Sequence, residues 1–592
     1  MTSDHDADGS SRLSFVEGAI LCLTAALCPV VYSFQMVSFL HAKEAVLWLG
    51  VAALSIVRVR RGVSRRAMAA FGPLWALLGF SLVVHVALRR SAIPTDAAAS
   101  LARGAMILAG GVLAWDHISS PAWRRRVLDA IGFSAGAAAV LALIQYADLA
   151  PRLFPVFEGN SQRMYSVFGN QDLLGGYLAC VAPLLAYPFL AGESRRAFSA
   201  RNVWSLATFA VLAAALVLSG SRSAWIAGAA GIIAVLRIRH GRPVRRAVLA
   251  VLGVGAVILA VLADPEYFGE RAGSAARLDG TGIRARLWFW DGTQRMIRDH
   301  LVYGVGPGNF AYWSPRYLGE ALSAPDGARH FHNELHTRYA HSDPLQLAAE
   351  TGLVGIALLA WFVVRLPRRR EAETGALIGL GVFSLFNFPF HSAPHAFVGV
   401  VCAGMLMSRP DPAQAEDVSG GRRHGRAPGL LVASVVVLTA GFLFWAETWP
   451  SVLLRRADRI YLSGGDALPA YERVCRHPWP NAAARRNYGI ALLAAGCYED
   501  AEREFSAARD GLDTGELYLA LGALAELRDD HDRATWALEE CVHRTPSSVE
   551  AWRRLLRLAD KEKAPDLLER AKQYLSEEAF ADLIELPADH DS

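Results

Sequence analysis

RARLWFWDGTQRMIRDHLVYGVGPGNF (284–310) and YAHSDPLQLAAETGLVG (339–355) belong to a polar block flanked by two apolar stretches, 246–263 and 343–365. A helix needs about 20 mostly apolar residues to cross a bilayer, and both flanks have that character. The block is therefore an arginine- and histidine-rich insertion held at a membrane surface. Around it, the 592-residue chain is 53% hydrophobic and 20% charged, with a mean hydropathy of +0.24. Apolar residues concentrate before about residue 446, and the remainder is charged and amphipathic. The fold class read from this pattern is all-α: a polytopic helical membrane protein followed by a soluble helical domain.

Apolar runs near 13–33, 37–57, 68–88, 97–116, 126–147, 171–191, 203–219, 223–237, 246–263, 343–365, 373–390, 394–408 and 429–446 give about 12–13 transmembrane helices. The pair around SGSRSAW (219–225) also reads as one broken element. Basic clusters occur at 58–66, 123–126, 193–201, 237–246, 366–371 and 420–426. With thirteen spans and the N-terminus inside, all six fall on the cytoplasmic side, where short-loop Lys and Arg accumulate. The large loop 264–342 and everything after 446 then lie outside the cytoplasm. The expected domains are a disordered cytoplasmic tail (1–12), a membrane domain (13–446) and an extracytoplasmic helical domain (447–592). The acidic N-terminus lacks the basic n-region of a cleaved signal. The net charge of +4 is small and sorted by loop, so no nucleic-acid partner is expected. The seven cysteines show no metal spacing, and a Cys475–Cys497 disulfide stays open.

In the C-terminal domain, Gly489, Leu492, Gly496, Tyr498, Ala501, Phe505 and Ala508 mark one amphipathic helix pair. Thirty-three residues on, Gly522, Ala534, Leu538, Cys541 and Pro546 repeat the pattern. This resembles the tetratricopeptide repeat, in which small residues let paired helices pack closely. A third unit starts at Trp552 and a half-unit covers 453–480. The resemblance implies a TPR-like α-solenoid that binds a protein partner rather than doing chemistry.

Three outward-facing places carry polar groups. The loop 264–342 holds nine arginines against nine carboxylates, so it is not a generic basic surface. Arg284 and Arg286 flank Leu287, Trp288, Phe289 and Trp290, which suits a helix lying in the headgroup layer with its guanidinium groups at phosphate level. Snorkelling to ordinary lipid phosphates is the plainer alternative. Arg222, set between serines in SGSRSAW, can form paired hydrogen bonds to a phosphate. In YAHSDPLQ, His341 stands at the mouth of the next span; an imidazole there can orient or deprotonate a hydroxyl. Asp343 followed by Pro344 is a good helix start. HFHNELH (330–336) lacks the order of a zinc motif, so no metal is expected. GVGPGNF (304–310) lacks the Lys-Ser/Thr of a P-loop and reads as a tight turn.

Together, 284–310 and AHSDPLQLAAETGLVG (340–355), with VFGNQDLLGGYLA (167–179) and SGSRSAW, resemble the O-antigen ligase and O-antigen polymerase superfamily. Four motifs in order carry the resemblance across roughly 13–408. It implies a GT-C-like membrane glycosyltransferase that uses neither metal nor cofactor. Such an enzyme moves a glycan from an undecaprenyl diphosphate carrier to a lipid, glycan or protein acceptor at the outer face of a bacterial plasma membrane. By motif, its essential residues fall on Arg222, Arg284 and His341, with Arg286, Trp288, Arg338 and Asp343 as substrate contacts. The family often has Asn after the histidine, where Ser342 stands here. Transport of lipid-linked glycans, or a scaffold role in envelope assembly, are the non-enzymatic alternatives. Lys43 and Glu44 in the second span are the one obvious mid-bilayer ionisable pair that transport would call for.

Overall fold

The computed structural model describes residues 2–151, 164–191, 199–238, 281–325, 327, 337–369, 371–408, 426–479 and 481–585, with positions 253, 255, 257 and 269. The span expected at 246–263, the HFHNELH cluster, and Arg271, Arg277 and Arg329 lie outside the described residues. Regular structure is helical throughout, with no strand among the described residues. Among the described residues, seven helices are long and apolar enough to cross a membrane, and four more are apolar but shorter: Gly72–Ala87, Arg222–Leu236, Ala372–Ser384 and Ala393–Met407. The chain is an all-α, multi-pass membrane protein. It divides into two compact units: Met1–Phe80, Leu101–Gly273 and Ala357–Thr448 form one, while Ser81–Ser100, Ser274–Ile356 and Trp449–Ser592 form the other.

The first unit is built around the helix Gln171–Ala191, whose apolar window is 94% buried. It packs against Ala200–Leu218, Arg222–Ile238 and Ala372–Ser384. Small residues set these contacts, as expected where lipid offers no hydrophobic drive and close van der Waals fit must hold helices together. A Cβ on Gly176 would sit 2.1 Å from the Phe383 ring, and one on Gly231 would sit 2.8 Å from the Gly375 carbonyl oxygen.

Two arginines from the basic clusters are internal. Arg58 is buried and ion-pairs with Glu17 at 3.2 Å and with Asp116. Arg124 donates to Glu373 at 2.9 Å. These arginines tie helices together, a structural reason beyond the orientation they were read for.

The first helix, Thr2–Leu27, takes in the acidic segment expected to be disordered. It ends earlier than the apolar run to residue 33, because Pro29 disfavours helix in the residue before it. Past that end, Lys43 Nζ donates to the Pro29 and Val31 carbonyls at 2.6 and 2.9 Å. Lys43 is thus bonded to backbone carbonyls at the end of the first helix. All seven cysteines are free thiols, so the Cys475–Cys497 bridge is not made.

The expected single span 343–365 is two helical pieces joined at Gly352 (φ 63°, ψ −163°), and that break falls in the second unit. The glycine loop 304–308 fits into that break. Val305 N–H donates to the Ala349 carbonyl and Gly306 N–H to that of Glu350, each at 2.9 Å; Leu353 N–H donates to the Leu301 carbonyl at 2.9 Å. Backbone groups released by the break are thereby paired, as buried backbone requires. A Cβ on Gly304 (φ 71°) would sit 2.3 Å from the Glu350 carbonyl carbon, and one on Gly352 would sit 2.3 Å from the Val302 oxygen. Beside the clasp, Leu301, Val302 and Leu353 are exposed.

Residues 449–585 are nine successive helices, Trp449–Leu462 through Glu577–Glu585. Gly489 abuts the ring of Phe505, and thirty-three positions later Gly522 abuts Leu538 in the same way. Gly352→Ala should cost about 2 kcal/mol or more, because its backbone region is open to glycine and few others. Thermal unfolding in detergent checks this, with Gly381→Ala as the control: a Cβ there meets nothing within 4 Å.

Candidate active site

The polar block folds as two helices and a pinned turn within the second unit. The tryptophan helix, Thr281–Asp299, buries Ala285, Trp288, Phe289, Gly292, Thr293 and Met296, a stripe at helical spacing. Arg284, Leu287 and Arg298 lie on its exposed side. The buried stripe meets the second loop helix, Phe310–Leu322, through Leu318, Ala321 and Leu322. Trp288 is 3% exposed, and its indole N–H donates to the Leu318 carbonyl at 2.9 Å. The headgroup-lying reading of this helix therefore changes. Trp288 and Phe289 are buried against protein.

His341 is half-buried, and its ring stacks on Phe289 at 5.4 Å between centroids and 25° between planes. Its backbone is left-handed (φ 51°), an uncommon state for histidine that neighbours must hold. Several do. Ser314 Oγ donates to the Thr337 carbonyl at 3.0 Å, anchoring the start of the turn. Thr337 Oγ1 in turn donates to the Tyr339 carbonyl at 2.7 Å. Ala340 N–H donates to Gln346 Oε1 at 3.1 Å, and Gln346 Nε2 donates to Glu350 at 3.0 Å. Gln346 thus fixes the residue before the histidine to the helix after it. Asp343 is the first residue of that helix and is buried, with Ser342 before it accepting the Gln346 N–H at 2.9 Å.

The arginines divide by environment. Arg284 is exposed and, among the described residues, makes no hydrogen bond or ion pair. Arg286 donates to the Gly282 carbonyl at 3.2 Å, and Arg338 is exposed. A free, exposed guanidinium is the one able to engage an incoming anion with its full fork of donors, which favours Arg284 over Arg286.

Arg222 belongs to the first unit. There it opens the helix Arg222–Ile238 after a turn at Gly220 (φ 66°) and is half-buried. The flanking serines hold the turn: Ser221 Oγ donates to Asp172, and Ser223 Oγ accepts from Asn387 Nδ2 at 2.7 Å. Asn170 caps the preceding helix, accepting the Asp172 and Leu173 N–H groups at 2.8 and 3.1 Å. The motifs 167–179 and 219–225 therefore meet, and Asp172 and Asn387 join them. Ser221 and Ser223 serve the turn rather than a ligand.

Sequence reasoning missed Phe289, Ser314, Gln346 and Asn309. Asn309, fully buried, pairs both ways with the Ile93 backbone, accepting its N–H at 2.7 Å and donating to its carbonyl at 3.1 Å. Its place in GVGPGNF, after three glycines of positive φ, was the available signal.

Fold and site define a multi-pass, all-helical membrane protein whose polar block is held by its own packing. The model of the O-antigen ligase family matches residues 207–360, so this stretch is similar to an O-antigen ligase domain. It takes in Arg222, Arg284 and His341. The domain supports ligase-like glycan transfer in general. No curated protein matches the chain.

His300, packed against Trp313 at 5.4 Å, has its pKa lowered from the ordinary 6.5, first by burial and then by Arg316, against the pull of Asp299. The unfolded chain therefore takes up this proton at higher pH than the folded one. The stability it contributes is complete above 6.5 and is lost as pH falls through the lower folded value. The melting temperature should drop on acidification below pH 6.5, and His300→Phe should flatten that drop in thermal scans across pH.

Proposed function

We propose that the protein transfers a glycan from an undecaprenyl diphosphate carrier to an acceptor hydroxyl at the outer face of a bacterial plasma membrane. The observation that carries this reading is the ligase-domain match over 207–360, which takes in a histidine held in left-handed backbone and the exposed Arg284. In this reading the acceptor oxygen attacks the anomeric carbon as the bond to the phosphate oxygen breaks, inverting the configuration. The acceptor proton passes to His341, and the undecaprenyl diphosphate leaves with the bonding pair. Arg284 meets the charge growing on the leaving diphosphate, a role in which one fixed donor is worth about 10²–10³ in rate. Arg222 is assigned a phosphate contact of its own, tested separately. No metal takes part, and the large loop and the C-terminal domain are extracytoplasmic. That domain is TPR-like and docks a protein partner.

Membranes carrying the protein, incubated with carrier-linked glycan, should consume it, and EDTA should leave the rate unchanged. Arg284→Lys and Arg222→Lys should each lower the rate about tenfold or more, since lysine cannot make the bidentate contact. His341→Ala should lower it about a hundredfold. Full transfer by His341→Ala overturns the base role, and full transfer by Arg284→Lys overturns the phosphate grip. The material left on the carrier in a deletion strain identifies the acceptor class. Single repeat units mark a lost polymerase; long polymers mark a lost ligase or protein transferase.

A further inference from the structure

The second unit joins the polar block to the C-terminal helices through one close seam. The second loop helix, Phe310–Leu322, packs on the helix His531–Arg544. At the seam Gly319 faces the chain at His543 so closely that a Cβ would stand 1.9 Å from the His543 carbonyl oxygen. Tyr312, on the same loop helix, lies within the electrostatic reach of Asp513 and Arg544. Those two form a well-buried ion pair at 2.8 Å, and Arg544 also covers the Tyr518 ring at 4.2 Å. The receiving surface is therefore rigid. From Gly319 the contacts run inward without a gap: Leu318, the residue before it, accepts the Trp288 N–H. Trp288 neighbours Phe289, and Phe289 carries the His341 ring. On the other side of the turn, Ser314 of the same loop helix holds Thr337.

We propose that the C-terminal helical domain positions His341. It seats the loop helix at Gly319, and that helix, through Trp288, Phe289 and Ser314, fixes the histidine turn. This rests on the functional reading above and extends it: part of the repeat surface has an occupant within the same chain, and that contact serves the transfer site. Gly319, Trp288 and Phe289 are positioning residues, since each acts through another. A side chain at 319 pries the seam apart without touching the turn directly. Trp288→Phe keeps an aromatic ring at this place but removes the indole N–H that bonds Leu318, together with part of the buried ring volume.

The test uses the full chain in detergent or native membranes and compares wild type, Gly319→Val and Trp288→Phe. Amide hydrogen exchange is read at 337–342, where Ala340 N–H is held by Gln346, and at the seam helices 310–322 and 531–544. Gly319→Val should raise exchange at the seam and, with it, exchange at 337–342 by about tenfold or more. Trp288→Phe should raise exchange at 337–342 by about fivefold while leaving 531–544 as in wild type. In transfer assays both variants should lower kcat, Gly319→Val by about tenfold, with KM for the carrier-linked glycan near the wild-type value. An opened seam with unchanged exchange at 337–342 overturns the proposal. If Gly319→Val does not fold, unchanged exchange and unchanged kcat in Trp288→Phe overturn it. Coupled exchange in a protein that transfers no glycan leaves the positioning role standing and rejects the functional reading instead.

Discussion

Backbone amides of Val305 and Gly306, donated to the carbonyls of Ala349 and Glu350, hold the second unit in register. A helix interrupted in its middle leaves N–H and C=O groups unmet, and each one buried without a partner costs on the order of 1–3 kcal/mol. Here the interruption and its remedy come from two glycine motifs some forty residues apart, neither of which closes without the other. Once they close, Met296, Val305, Phe310, Tyr317, Ala340 and Ala349 are brought into one cluster. That cluster is the floor beneath both loop helices, and Asn309 fastens the same loop to Ile93. The histidine turn then has rigid neighbours on both sides.

Strain at His341 makes sense in this setting. A left-handed histidine on a mobile loop would relax, whereas here its ring lies on Phe289 and its neighbours are bonded to Gln346 and Ser314. The side chains that do the holding are neutral: an amide, two hydroxyls and a phenyl ring. The arginines Arg284 and Arg338 stay at exposed positions, while the carboxylates Asp343 and Glu350 are buried beside the turn. In the membrane unit the division is different. Arginines of the basic clusters reach inward to Glu17 and Glu373, where loss of one partner would strand a buried charge at a cost of about 3–5 kcal/mol.

Most of the membrane part was legible in the sequence because span length and apolar content are crude, strong signals. The stretch read at 171–191 is the helix Gln171–Ala191, and that read at 97–116 lies inside Pro94–Ser119. The break at Gly352 was hidden because one glycine inside an apolar run is ordinary helix sequence, and only the clasp from 301–306 makes it a joint. Trp288 and Phe289 were placed at the lipid surface because an aromatic stripe looks the same whether it faces lipid or protein. Gln346 drew no notice, since an amide that braces a backbone carries no local pattern. The grouping of 81–100 and 274–356 with the C-terminal helices depends on contacts between distant segments, to which periodicity is blind.

The interrupted helix also bears on depth. Beyond Gly352, the piece Leu353–Arg365 rises only about 20 Å, whereas the hydrocarbon core of a bilayer is about 30 Å thick. Only the two pieces together match that thickness, so the break at Gly352 falls within the candidate span Asp343–Arg365. The glycine loop supplies the partners that the break in this helix would otherwise leave unmet at Ala349, Glu350 and Leu353.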